Sequence, residues 1–176
     1  RSAQKALLQP FIPLSLSWRG KGELKNLDQF ELEASPLKLQ GVALYSALYL
    51  NELLYYLLEQ NTAYFELFDY YRQALQLLSQ EPSPEPVLRQ FELLLLETLG
   101  YGIDFRHDGV SGLAIEPEGE YLYLAECGLV ASTLAPGAGE PFIGRHLLAM
   151  AEGRFDEPAL LQASKRFCRQ ALKPYL

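Results

Sequence analysis

Few residues in this chain are equipped to make or break bonds. Two histidines, His107 and His146, and two cysteines, Cys127 and Cys168, are spread over 176 residues. His107 lies in the segment DFRHDG with Asp104 and Asp108 close by. An imidazole beside carboxylates could serve as a general base or a metal ligand. One histidine with two loop carboxylates reads better as a solvated turn. His146 opens a short helix and has no evident partner. The cysteines stand 41 positions apart, which matches neither a disulfide framework nor a zinc spacing. Cys168 falls on the apolar side of a helix and reads as core. No H-E-x-x-H, G-x-S-x-G, Walker or G-x-G-x-x-G pattern occurs. Carboxylates are plentiful but scattered, and no acid/base pair stands out. The expectation is a protein that is not an enzyme and uses no metal and no cofactor.

Binding chemistry is better represented. In the last helix Lys165, Arg166, Arg169 and Lys173 fall within an arc of about 100°. Leu160, Leu161, Ala163, Phe167, Cys168, Ala171 and Leu172 take the other side. Cations near a helix C-terminus complement its macrodipole, at about 0.3–1 kcal/mol each. The same stripe, with no acid interleaved, could bind phosphates with a salt-sensitive, non-specific affinity. The glycine-rich turn Arg19-Gly20-Lys21-Gly22 has two readings as well. A turn lysine can protect an edge strand from aggregation, or it can meet a phosphate together with the flexible backbone. The charge distribution is uneven. Residues 1–25 carry Arg1, Lys5, Arg19, Lys21 and Lys25 against Glu23, residues 165–176 carry four bases and no acid, and residues 26–164 have a net charge of −15 within a total of −7. Such asymmetry hints at a localised basic surface.

These side chains have to be held by a small set of elements. Residues 7–33 read as a β-hairpin, with Pro10 and Pro13 marking its first strand as an edge or bulged strand. Residues 42–60 form a helix that is apolar nearly all round, which predicts a central, buried position. Asn61 and Thr62 can cap a second helix over 63–80. The segment EPSPEP stops it, and a third helix runs from 86 to 99 with Gly100 as its C-terminal cap. Residues 101–134 predict a small β-rich insert with strands at 121–124 and 128–133. A short helix over 144–152 and a last helix opened by Asp156-Glu157-Pro158 complete the chain. Tyr55, Tyr56, Tyr70 and Tyr71 could stack on nucleobases, but at helical spacing among leucines they read as packing residues. The fold class is therefore α+β. No apolar run is long enough to span a bilayer. The start, RSAQK, lacks both an initiator Met and a signal peptide, so it reads as internal to a longer chain in a reducing, cytoplasmic setting.

Five segments, LLQPFIPLSLSWRGKGELKNL, GVALYSALYLNELLYYLLEQ, PEPVLRQFELLLLETLGYGIDF, GLVAS and ASKRFCRQALKPYL, resemble in order and spacing the RecO family of bacterial recombination-repair mediators. The resemblance implies that residues 1–36 are the C-terminal part of an OB-fold barrel and that 37–176 are a helical domain with an insert at about 101–134. It implies binding of single- and double-stranded DNA and annealing of complementary strands. It also implies binding to the acidic, hydrophobic tail of the single-strand binding protein SSB, and loading of RecA with RecR. No membrane partner and a cytoplasmic, nucleoid-associated location follow. Some relatives hold zinc with two C-x-x-C pairs; only Cys127 stands in that region here, so no zinc is expected. The expected DNA contacts are Arg1, Lys5, Arg19, Lys21, Lys25, Lys165, Arg166, Arg169 and Lys173. For the SSB tail, an apolar pocket with a cation is needed, and Leu88, Arg89 and Phe91 are the expected residues. Arg89 could instead be an exposed helix arginine paired with Glu85. The alternative function is a helical adaptor for an acidic-hydrophobic peptide, with DNA binding incidental.

Overall fold

Apolar periodicity builds the helical part directly. In the computed structural model, which describes residues 7–22, 24–134, 137 and 139–176, three helices come first: α1 (Val42–Leu57), α2 (Phe65–Gln80) and α3 (Glu85–Thr98). The central helix is α3, not α1. It buries Val87, Leu88, Arg89, Phe91, Glu92, Leu95 and Leu96. Pro86 sits in its first turn, where the missing N–H is no loss. Gly100 ends it at φ 83°. The Gly100 amide donates to the Glu97 carbonyl at 3.0 Å and the Tyr101 amide to Leu96 at 2.8 Å, a Schellman closure.

By contrast, α1 buries only Ser46, Ala47, Leu50 and Leu53, and leaves Val42, Tyr45, Leu48, Tyr55 and Tyr56 exposed. The central position expected for it is corrected: one stripe packs, and among the described residues none covers the remaining apolar surface. Nor do Asn61 and Thr62 cap α2. Tyr64 takes the N-cap place without a side-chain bond, and Asn61 serves the preceding turn at φ 64°. The two helices are tied instead by Tyr71, whose hydroxyl donates to Asn51 Oδ1 at 2.6 Å; burial pushes that hydroxyl's pKa up to about 12.

The insert is a three-stranded antiparallel sheet in the order β4-β3-β5: β3 (Glu120–Leu124), β4 (Gly128–Ala131) and β5 (Phe142–Ile143). A two-residue strand has no period to read, so β5 was outside the expected hairpin. Helix α4 (Gly144–Ala151) starts immediately after it. A Cβ at Gly144 would lie 1.9 Å from the Glu116 carbonyl oxygen, so only glycine permits this approach. The last helix, α5 (Pro158–Leu172), lays its apolar side across the sheet and α3. Phe167 is the hub, with ring centroids 5.0 Å from Phe105, 5.0 Å from Tyr123 and 5.6 Å from Phe142. It joins a loop, β3 and β5 to α5 at one point.

The N-terminal hairpin pairs β1 (Leu14–Arg19) with β2 (Asn26–Leu32), with a bulge at Ser17/Trp18. Pro10 and Pro13 precede the first strand rather than lie inside it. Leu14, Leu16 and Trp18 face Leu32, Phe30 and Leu27 across the ladder. Leu16, Trp18, Leu27 and Leu32 are exposed. Among the described residues the two strands pair only with each other.

Candidate nucleic-acid interface

The basic residues of α5 are brought together as their spacing requires. Lys165, Arg166, Arg169 and Lys173 line one shallow concavity of about 330 Å³ with Gln162 and Gln170. The stripe is not free of acids, however. Lys165 donates to Glu85 at 2.6 Å and ties α5 to the start of α3. Arg166 pairs with Glu140, donates to the Pro141 carbonyl at 2.6 Å and lies 4.2 Å over the Phe142 ring. It clamps the helix to β5, so the guanidinium expected to meet a phosphate is engaged by packing partners. The acids come from distant parts of the chain, which is why the helix by itself looked purely basic. Arg169 and Lys173 are exposed and make no ion pair among the described residues.

The hairpin turn holds its cations less openly than its sequence suggests. Arg19 pairs with Asp28 at 2.7 Å across the strands, and Lys25 donates to the Gly20 carbonyl at 3.2 Å. Lys21 is exposed. Arg1 and Lys5 lie outside the described residues.

The three residues expected to take a peptide tail are not on the surface. Leu88 and Phe91 are core, and Arg89 is 3% exposed. Arg89 does not pair with Glu85, which is engaged by Lys165. It donates to Glu92 Oε1 at 2.7 Å, and the Tyr49 hydroxyl reaches the same oxygen at 2.6 Å. Glu92 is 1% exposed, and among the described residues its second oxygen and Arg89 Nε have no hydrogen-bond partner. Burial pushes the Glu92 carboxyl above its ordinary range, against the pull of Arg89. Burial also raises the Tyr49 hydroxyl and the Cys168 thiol beside it. Of the expected trio, Leu88 and Phe91 are thus core, and Arg89 belongs to a buried polar knot with Glu92, Tyr49 and Cys168 between α1, α3 and α5.

The DFRHDG segment divides in two. His107 and Asp104 form an exposed pair at 2.8 Å, as a solvated turn would. Asp108 is buried, and accepts from the amides of Val110 at 2.9 Å, Ser111 at 2.7 Å and Ala131 at 2.7 Å. Its burial works to raise its pKa, but these three amides outweigh it and hold the carboxyl below its usual range. It pins the loop to β4. An Asp-Gly pair is a sufficient turn signal, so its long-range partner Ala131 left no local mark. The helix tyrosines are also redistributed: Tyr55 is 82% exposed and Tyr56 and Tyr70 are exposed too, so packing accounts for Tyr71 alone. Two further tyrosines, Tyr101 and Tyr175, stack at 4.2 Å. They are 74 positions apart, and no spacing rule links them.

Among the described residues no helix is long and apolar enough to cross a membrane. Comparison with known proteins is consistent along the whole chain. Residues 39–176 match the family model described as Recombination protein O C terminal. A DNA repair protein RecO of Serratia proteamaculans is 49% identical over 177 residues, covering 100% of this chain and 72% of the relative. Those of Photobacterium profundum and Glaesserella parasuis are 48% and 46% identical, with 100% of this chain and 74% and 73% of the relatives covered.

Proposed function

The chain belongs to the RecO family, with a role in DNA repair and recombination, and on that premise we propose that it binds single- and double-stranded DNA through the outer face of α5 and anneals complementary strands. The observation that carries this reading is the single concavity shared by Lys165, Arg169 and Lys173 on a chain with a net charge of −7. An acidic protein repels a polyanion unless its cations are grouped, and here they are. Phosphate contacts of this kind give affinity without sequence preference, which suits a protein that must act on any strand. The hairpin turn, through Lys21, adds a second contact in this reading. The proposed role is one of binding and positioning, with no catalytic step of its own.

The test is fluorescence anisotropy of a labelled single strand across a salt series. The logarithm of the binding constant is expected to fall linearly with the logarithm of salt. Arg169→Glu and Lys173→Glu are each expected to reduce that slope by about 0.7. Affinity indifferent to salt and to both reversals would overturn the interface.

The finer partners, SSB, RecR and through them RecA, belong to the same proposal. For the acidic SSB tail the arrangement around Arg89 has a consequence: its carboxylate can be received there only if the Arg89–Glu92 pair opens. Titrating a tail peptide against the native protein and Arg89→Ala tests this. Loss of binding with the fold intact supports an opening pair, and unchanged binding removes Arg89 from the tail site.

A further inference from the structure

A cleft of about 350 Å³ lies between the end of α3, the β3–β4 turn and the C-terminus. Its lining includes Tyr101, Tyr123, Tyr175, His107, Asp104 and Glu126, with four glycines among the rest. We infer that this cleft is a nucleobase subsite, in which one unpaired base of a bound strand stacks on the Tyr101–Tyr175 pair. The inference rests on the DNA-binding reading of α5 and extends it from phosphates to bases.

Three observations meet at this point. The first is a prepared aromatic surface. Tyr101 and Tyr175 are stacked at 4.2 Å with 26° between their planes, and Tyr101 is 45% exposed. Each ring holds the other, so little side-chain freedom is lost when a base adds to the stack. Such pairing suits any base, because every base has a π-face.

The second is the chemistry of the rim. Asp104 and Glu126 would repel a phosphate, so the cleft is not an extension of the basic face for backbone contacts. A carboxylate does accept from the exocyclic amino groups of cytosine, adenine or guanine. Asp104 is kept ionised by the Arg106 amide and by His107. The glycines leave the wall without side chains, and Gly109 has no alternative: a Cβ there would lie 1.6 Å from the Cys127 carbonyl oxygen.

The third is position. Tyr175 follows Lys173 by two residues, and its amide donates to Leu172 at 3.0 Å as the last turn closes. The aromatic pair begins where the basic face of α5 stops. The two concavities are thus joined through the chain from Lys173 to Tyr175, and in this reading a strand whose phosphates track Arg169 and Lys173 enters the cleft. Duplex DNA keeps its bases inside, so only an unpaired strand gains from it.

The full-length protein is measured with single-stranded and duplex oligonucleotides of equal charge. Tyr101→Ala is expected to weaken single-strand binding by about 5- to 150-fold. Duplex affinity and the salt slope are expected to stay as in the native protein, since no phosphate contact is lost. Tyr101→Trp is expected to retain single-strand affinity. An equal loss on both substrates, or no loss, would overturn the subsite. Photocrosslinking of a 5-iodocytosine-substituted single strand to the native protein gives a reading independent of any variant's stability. Crosslinks at Tyr101 or Tyr175 support the subsite, and crosslinks confined to other residues overturn it. The two readings fail separately: a native protein that binds no DNA overturns both, whereas salt-sensitive binding that depends on Arg169 and ignores Tyr101 overturns the subsite alone.

Discussion

Arg89 and Glu92 stand three residues apart on α3 and share one hydrogen bond in the core, with Tyr49 closing over it. Removing one member of a buried ion pair leaves the other charge unpaired, at about 3–5 kcal/mol. Arg89→Leu is therefore expected to lower unfolding free energy in urea by that amount, while Arg89→Leu with Glu92→Leu is expected to restore most of it. A double variant no better than the single would show that the pair has no such coupling. Asp108 acts in the opposite sense with pH. Its native pKa is depressed by the amides of Ser111, Ala131 and Val110 against the effect of burial. The stability it supplies is complete above the ordinary carboxylate range and is lost as pH falls through the lower native value. Glu92, raised by burial, contributes stability below its unfolded pKa and loses it as pH rises through the native value. Asp108→Asn is expected to flatten the acid limb of a stability–pH profile and to cost about 1–3 kcal/mol at neutral pH. An unchanged acid limb would contradict the role given to Asp108.

At the scale of elements, α5 does two jobs with two faces. Its apolar face centres on Phe167 and closes the core. Its polar face holds the fold through Lys165 and Arg166 and leaves Arg169 and Lys173 exposed for the ligand proposed above. Lys165 is shared, since its partner Glu85 competes with any phosphate. Glu85→Gln is expected to raise single-strand affinity about twofold and to change stability by less than about 1 kcal/mol, because the pair is partly exposed. Anisotropy and thermal unfolding of the same variant check both halves, and weaker DNA binding would place Lys165 outside the interface. The helix pattern made the basic stripe legible, because periodicity reports which residues share a face. It could not report Glu85 or Glu140, because they arrive from other elements.

At the scale of the molecule, the unresolved demand is the hairpin. Leu16, Trp18, Leu27 and Leu32 form an exposed apolar face on a two-stranded sheet, and such a sheet is marginal in water without cover. The chain spans about three quarters of the relatives it matches. We propose that this face belongs to the inner wall of an OB-type barrel in the longer protein. Leu16→Ser is then expected to destabilise the longer protein by about 1.5–3 kcal/mol and to leave the present chain, where the residue is already exposed, nearly unchanged. Equal effects in both, read by chemical unfolding, would remove the barrel from the account.

The amino-acid sequence by itself determined the order of the helices and of the first four strands, the Pro86 start and Gly100 stop of α3, and the grouping of four cations on α5. These are local properties, set by periods of a few residues and by backbone preferences of proline and glycine. Tertiary structure alone decided that Arg89 is buried with Glu92, that Arg166 clamps β5, that Asp108 pins β4, and that Tyr101 meets Tyr175. Each of these depends on a partner brought close by chain folding, or on which face the remaining elements cover. No spacing within one segment encodes either.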